Sequence, residues 1–276
     1  MSKKKIDSEN LEYTKKSSWE GMDTGQVVTD TAGYLEFISR VKTERECVDW
    51  FAGVAQEKGF KPYDGAALRP GDRFYVTNRG KAILLGIRGT RPLTDGFRLV
   101  GAHVDAPRLD LKAQPLYEDE GLGLLKTHYY GGIKKYQWTA IPLALHGTVV
   151  LGDGTAREVV LGEDPGEPVF TITDLLPHLA REQMKKPMSD ALEGEDLNLL
   201  AGAVPLEDEE DKKVKRRLLG LLNRKFGLKE EDFISAELEA VPAGPARDVG
   251  LDRRFIGGYG QDDRVCAYGA ADALMG

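Results

Sequence analysis

Two short segments carry residues whose types and spacing could do chemistry. The first is Gly101-Ala102-His103-Val104-Asp105-Ala106-Pro107-Arg108, at the end of an apolar run. Side chains two apart on a strand point to the same side. His103 and Asp105 therefore share one face at what reads as a strand's C-terminal end, where open α/β sheets place their sites. A carboxylate beside an imidazole fixes its tautomer and raises its basicity, as it does behind a metal-bound histidine. The same pattern also fits a structural histidine held by an aspartate. The second segment is Gly257-Gly258-Tyr259-Gly260-Gln261-Asp262-Asp263-Arg264. Adjacent carboxylates after a glycine-rich loop fit a helix cap that satisfies free amides and favours the helix dipole. They also fit a carboxylate that bridges two metal ions.

Other reactive side chains are sparse. Of the four histidines, His128 and His146 read as structural or surface residues, and His178 lies in Pro177-His178-Leu179-Ala180. Cys47 and Cys266 are too far apart in sequence for a disulfide framework and do not make a cysteine-rich zinc site. They are expected to be buried thiols in a reducing compartment. Gly80, Gly86 and Gly89 lack phosphate-loop spacing, and Gly257-Gly258-Tyr259-Gly260 lacks the following Lys-Ser/Thr, so a nucleotide-binding reading is set aside.

Several elements must position these residues. Tyr34, Phe37, Ile38 and Val41 have the i, i+3, i+4, i+7 spacing of a helix. Thr43 and Glu46 form a capping box for a second helix that buries Cys47, Trp50, Phe51 and Val54 and ends at Gly59. Phe74–Val76 and 82–87 read as strands around the turn Asn78-Arg79-Gly80. The apolar run 97–105 predicts a strand covered on both faces of an α/β sheet. Beyond residue 110 the character changes. Strands are expected at Gly147–Leu151 and Glu158–Leu161, joined by Gly152-Asp153-Gly154. A short helix is expected from Thr173 or Asp174, and an amphipathic helix through Val214, Leu218, Leu221 and Leu222 to Gly227. The charged run 207–213 reads as a solvated loop or helix start. Ile234, Ala236, Leu238 and Ala240 alternate as in a half-buried strand, and Pro242, Gly244 and Pro245 mark a boundary.

The 276 residues, 41% of them apolar and 30% charged, can bury a core. A net charge of −7 without a long basic block argues against binding nucleic acid. No apolar run reaches the roughly 18 to 20 residues of a membrane span. The basic start, Met1-Ser2-Lys3-Lys4-Lys5, is followed by polar residues rather than a signal-peptide core. A cytoplasmic protein is expected.

Taken together, these segments resemble the aspartyl/vacuolar aminopeptidase family, the aminopeptidase I family of zinc metallopeptidases. The resemblance runs from about residue 20 to the end. It is carried by 101–108, by Tyr130-Gly131-Gly132 leading to Trp138, by Pro177-His178-Leu179-Ala180, by Asn198-Leu199-Leu200 and by Gln261-Asp262-Asp263-Arg264. It implies an α/β fold, an α/β/α zinc-exopeptidase-like catalytic domain interrupted by a β-rich dimerisation domain. The expected divisions are 1–110 and 243–276 for the catalytic part and 111–242 for the insert. The implied activity is removal of N-terminal residues, often acidic ones, from peptides by a two-zinc centre, with cobalt or manganese as chemically possible metals. His103 would bind one zinc, Asp105 would orient its imidazole, and Asp262 would bridge both ions ahead of a cis peptide to Asp263. His178 matches a segment that in relatives reaches a neighbouring subunit's active site, and it also fits a surface histidine. The implied partners are peptide substrates and further copies of the chain, docked through the insert.

The resemblance also implies ligands that residues 1–276 do not contain: a Glu-Glu pair with the general base, another Asp and a final His. Glu209-Glu210 and Glu230-Glu231 lie in charged stretches rather than after an apolar strand and a glycine turn. The chain is therefore expected to be the N-terminal part of such an enzyme. The alternative is a non-catalytic assembly or interaction module.

Overall fold

The computed structural model describes Tyr13, residues 15–207 and residues 210–276. The basic start and part of the charged run near 207–213 lie outside the described residues. Helix α1 (Thr24–Arg40) is capped by Asp23, which accepts from the amides of Gly25 and Gln26. Helix α2 (Glu44–Glu57) carries the Thr43/Glu46 capping box. It ends as its sequence dictates. Gly59, at φ +81, donates to Gln56 O, and Phe60 N–H donates to Ala55 O, the crossed pattern that a left-handed glycine permits.

Helix α2 and the last helix of the chain pack on a small sheet, and α1 packs on that last helix. In the sheet β2 (Arg73–Asn78) pairs antiparallel with β3 (Ala82–Ile87), and the two-residue β1 (Lys61–Pro62) runs parallel to β2. Arg79 and Gly80 both take positive φ in the connecting turn, as a tight hairpin requires. Phe37, Phe51 and Tyr75 make this core together with Ala267, Ala271 and Met275 of the last helix.

Six antiparallel strands make the second layer: β4 (Arg108–Asp119), β5 (Leu122–Tyr130), β6 (Leu143–Val150), β7 (Ala156–Leu161), β8 (Leu199–Gly202) and β9 (Glu237–Pro242). Their order is β7-β6-β9-β4-β5-β8. Leu109, Leu125, Leu143, Leu145, Leu199 and Ala240 form its buried face. Helix α3 (Lys213–Phe226) crosses the sheet and ends at Gly227, φ +77. The chain then makes a hairpin of β10 (Arg247–Val249) and β11 (Phe255–Gly257) and enters α4 (Gln261–Met275). The fold class is α/β.

Four expectations from the sequence are corrected. Residues 97–105 form no strand, and Phe97, Leu99 and Val100 are 75%, 75% and 77% exposed. A strand is held by its neighbours' hydrogen bonds, and no described strand pairs with this run. The helix expected from Thr173 or Asp174 is replaced by turns and a 3₁₀ turn at Gln183–Lys185. Its apolar residues Leu175, Leu176 and Leu179 are exposed, so no packing stabilises a short helix there. Ile234 and Ala236 do not alternate in a strand: Ile234 lies in a 3₁₀ turn (Glu230–Ser235), and β9 starts only at Glu237 with both faces covered. Cys47 is buried, but Cys266 is exposed, one turn past Asp263 on the outer side of α4.

Candidate metal centre

The candidate residues lie on the segment leading into β4 and at the head of α4, each locked by the elements around it. His103 sits in an extended segment that runs into β4. Its Nδ1 lies 3.0 Å from Asp105 Oδ1 and 3.2 Å from Asp105 O. With Nδ1–H donating to Asp105, Nε2 keeps its lone pair. Nε2 faces Asp262 Oδ1 at 3.2 Å. Two donors bound at roughly 2.0–2.1 Å to one tetrahedral ion stand about 3.3 Å apart, so this spacing suits two ligands of one ion. It equally serves a hydrogen bond when the imidazole is protonated.

Electrostatics tie the three groups together, and without a metal they favour the protonated imidazole. Burial opposes charge on His103, but hydrogen bonds to Asp105 and Asp262 and the Asp105 charge outweigh it and raise its pKa. Burial alone would raise Asp105, yet hydrogen bonds from Tyr130 and His103 hold it below the usual carboxylate range. Tyr130, the last residue of β5, donates its hydroxyl to Asp105 Oδ2 at 2.7 Å, and the Arg108 guanidinium stacks 4.1 Å above its ring. His103, Asp105, Ala106, Pro107, Tyr130, Gly131 and Asp262 line an open cavity of about 350 Å³. The Asp262 side chain is 94% exposed.

The peptide between Asp262 and Asp263 is cis, and both residues depart from helical dihedrals at the head of α4. Neither carboxylate accepts a backbone amide of the helix, although both stand in its first turn, where the helix dipole favours them. Arg264 fixes the registry instead. It is 1% exposed and donates to three carbonyls: Val104 O at 3.0 Å, Val41 O at 3.3 Å and Lys42 O at 2.7 Å. One guanidinium thus joins the His103 segment, the Asp262 segment and the α1–α2 link. Gly260, φ +81, is obligatory here, since a Cβ would stand 2.2 Å from the Arg264 guanidinium. Tyr259 donates to Pro107 O at 3.0 Å, and Tyr34 donates to Gln261.

Behind the cavity a buried charge cluster joins the layers. Arg108 approaches Glu44 at 3.0 Å, Asp110 at 2.8 Å and Glu239 at 3.2 Å. Three carboxylates share one guanidinium. Burial, with Glu44 nearby, pushes Glu239 up to about 8 despite Arg108. A second junction is His146, 2% exposed, whose Nδ1 and Nε2 lie 2.7 Å from Glu46 and 2.9 Å from Glu163.

The structure thus gathers His103, Asp105 and Asp262. His178 is exposed on a separate turn and does not join them. His128 is exposed and stacks on Tyr129, whereas His146 is a buried ion-pair partner. Among the described residues no group of three His, Cys, Asp or Glu side chains is arranged to hold a metal ion. The donors present therefore fit part of a zinc centre, one imidazole and one carboxylate, where a tightly held zinc takes three or four protein ligands. Tyr130 and Arg264 escaped the sequence reading as site residues. Both stand inside the quoted motifs, but their partners are distant in sequence.

The model of the aminopeptidase I zinc metalloprotease (M18) family matches residues 37–276. A Clostridium acetobutylicum protein described as "probable M18 family aminopeptidase 1" is 50% identical over 269 residues, covering 94% of this chain and 58% of its own length. The crystal structure of an M18 aminopeptidase from Thermotoga maritima superposes with a TM-score of 0.91 at 47% identity, covering 96% of this chain and 58% of that one. A Saccharomyces cerevisiae structure described as a dodecamer shares the fold at a TM-score of 0.67 and 21% identity, with 91% and 56% coverage. The chain therefore spans somewhat over half the length of these relatives.

Proposed function

This chain belongs to the aminopeptidase I zinc metalloprotease (M18) family, and we propose that it supplies part of a zinc aminopeptidase that removes N-terminal residues, acidic ones among them, from peptides. The observation that carries this reading is Nε2 of His103 facing Asp262 Oδ1 at 3.2 Å, with Asp105 behind the ring. His103 and Asp262 would be metal ligands, and Asp262 has a second oxygen to offer another ion. Asp105 holds the imidazole in the ligating tautomer, and Tyr130 holds Asp105. Zinc, when bound, supplies Lewis acidity toward the scissile carbonyl and its attacking water; cobalt or manganese suits the same donors. The cavity opens to solvent and admits a chain end. The remaining ligands and the proton-accepting base are expected outside the described residues.

The β-rich part, 111–242, is read as an inserted assembly domain between the catalytic stretches 1–110 and 243–276. Exposed Leu175, Leu176 and Leu179 around His178 favour docking against another copy, in keeping with the dodecameric fold neighbour. The described residues contain no helix long and apolar enough to cross a membrane, and a cytoplasmic location is the reading adopted. A second reading, a non-catalytic assembly or interaction module, is favoured by the absence of a third ligand among the described residues.

The test is zinc content by elemental analysis together with hydrolysis of glutamyl- and leucyl-nitroanilide. The 276-residue chain is assayed alone and as part of a polypeptide with the full length of its relatives. Zinc and turnover in the longer polypeptide, both lost in His103→Ala and Asp262→Asn, are expected. Turnover that survives both substitutions would overturn the ligand assignment. No turnover in any form would favour the module.

A further inference from the structure

A second cavity, of about 440 Å³, lies between α3 and the six-stranded sheet, away from His103 and Asp262. Its walls include Leu111, Leu125, Leu161, Phe170, Leu218 and Leu222. Its size falls within the roughly 300–1,000 Å³ of small-molecule sites. Protein interiors leave few voids larger than a water, and apolar cavities stay dry and accept apolar molecules.

The cavity follows from how α3 is held. Glu118 of β4 accepts the amides of Val214 and Lys215 at 2.9 and 3.0 Å and so anchors the first turn. Leu218 drops into a notch made by two glycines: a Cβ on Gly123 or Gly202 would stand 2.2 or 2.9 Å from it. At the far end Lys225 pairs with Glu167. The helix is thereby fixed at both ends and over β5 and β8, while Leu221 stays 44% exposed at the cavity.

The polar side chains lining this space are both cations, Arg224 and Lys225. Lys225 already has Glu167. Arg224 has no hydrogen bond or ion pair among the described residues. An apolar chamber with an uncommitted guanidinium at its edge complements a molecule with an apolar body and an anionic head. We propose that this cavity binds one medium-length fatty-acid-type carboxylate, its alkyl chain between α3 and the sheet and its carboxylate on Arg224. The site is independent of the metal centre and goes beyond the aminopeptidase reading.

Isothermal titration of the 276-residue chain with decanoate tests it. One saturable site per chain is expected. Arg224→Glu, on the exposed side of α3, should weaken binding about tenfold or more, and 1-decanol should bind wild type more weakly by a similar factor. Ala201→Phe, which puts a ring into the cavity, should abolish binding; a thermal melt checks that this variant folds, and Arg224→Glu carries the test if it does not. Three results would overturn the proposal: no saturable binding, decanol bound as tightly as decanoate, or decanoate affinity unchanged in Arg224→Glu and in folded Ala201→Phe. The last would put the fatty acid on exposed apolar surface such as Phe97 and Val100.

Discussion

His103 owes its orientation to a neighbour two residues away and its facing partner to one 159 residues away. The near partner is in reach two residues along the chain, although the strand that the sequence suggested there does not form; the far one needs the fold. Tyr130 extends the chain of contacts by fixing Asp105, so the imidazole is aimed by two successive hydrogen bonds. Such supporting groups carry measurable affinity. In a zinc-loaded polypeptide containing this chain, Asp105→Asn should lower zinc affinity about 10- to 100-fold, read by competition with a chelator. Tyr130→Phe should do less, because Asp105 keeps its contact with the ring.

Between elements the decisive groups are buried ions at junctions. Arg264 joins α4, the α1–α2 link and the His103 segment through three carbonyls. Arg264→Lys keeps the charge but loses the fork that reaches three acceptors at once. It should cost about 3 kcal/mol in denaturant unfolding, by leaving buried carbonyls unpaired. His146 joins α2 to the sheet through Glu46 and Glu163. Burial opposes its charge, but hydrogen bonds to Glu163 and Glu46 raise its pKa to about 9. A folded pKa above the unfolded value of about 6.5 stabilises fully below that value and fades as pH rises through 9. Hydrogen bonds from His146 lower both glutamates despite their burial. Their contribution is present above ordinary carboxylate pKa values and is lost on acidification. Wild type should therefore lose on the order of 2–3 kcal/mol between pH 6.5 and 9.5, whereas His146→Gln should start lower and lose far less. Denaturation midpoints at pH 5.5, 7.5 and 9.5 measure both curves.

For the whole molecule, exposed apolar surface dominates the outlook. Phe97, Leu99 and Val100 are exposed within one short stretch of chain, and Leu175, Leu176 and Leu179 within another. Exposed apolar surface of this kind marks interfaces or drives association. Sedimentation velocity should show concentration-dependent self-association of the 276-residue chain. Leu176→Glu combined with Leu179→Lys should reduce it with little change in melting temperature, because these side chains bury little in the monomer.

Local signals in the sequence determined much of this protein: the apolar spacing of α1, the capped α2, the turn at Asn78-Arg79-Gly80 and the α3 stop at Gly227. Each rests on contacts within a few residues, where spacing and turn chemistry suffice. The apolar run 97–105 shows the limit. Its composition is that of a covered strand, but covering and pairing depend on other parts of the chain. The same holds for His146, whose burial depends on Glu46 and Glu163, and for Arg264, whose value lies in carbonyls from distant segments. Tertiary structure alone decided that Asp262 faces His103 rather than capping α4, because that choice depends on where one guanidinium draws three separate stretches of backbone together.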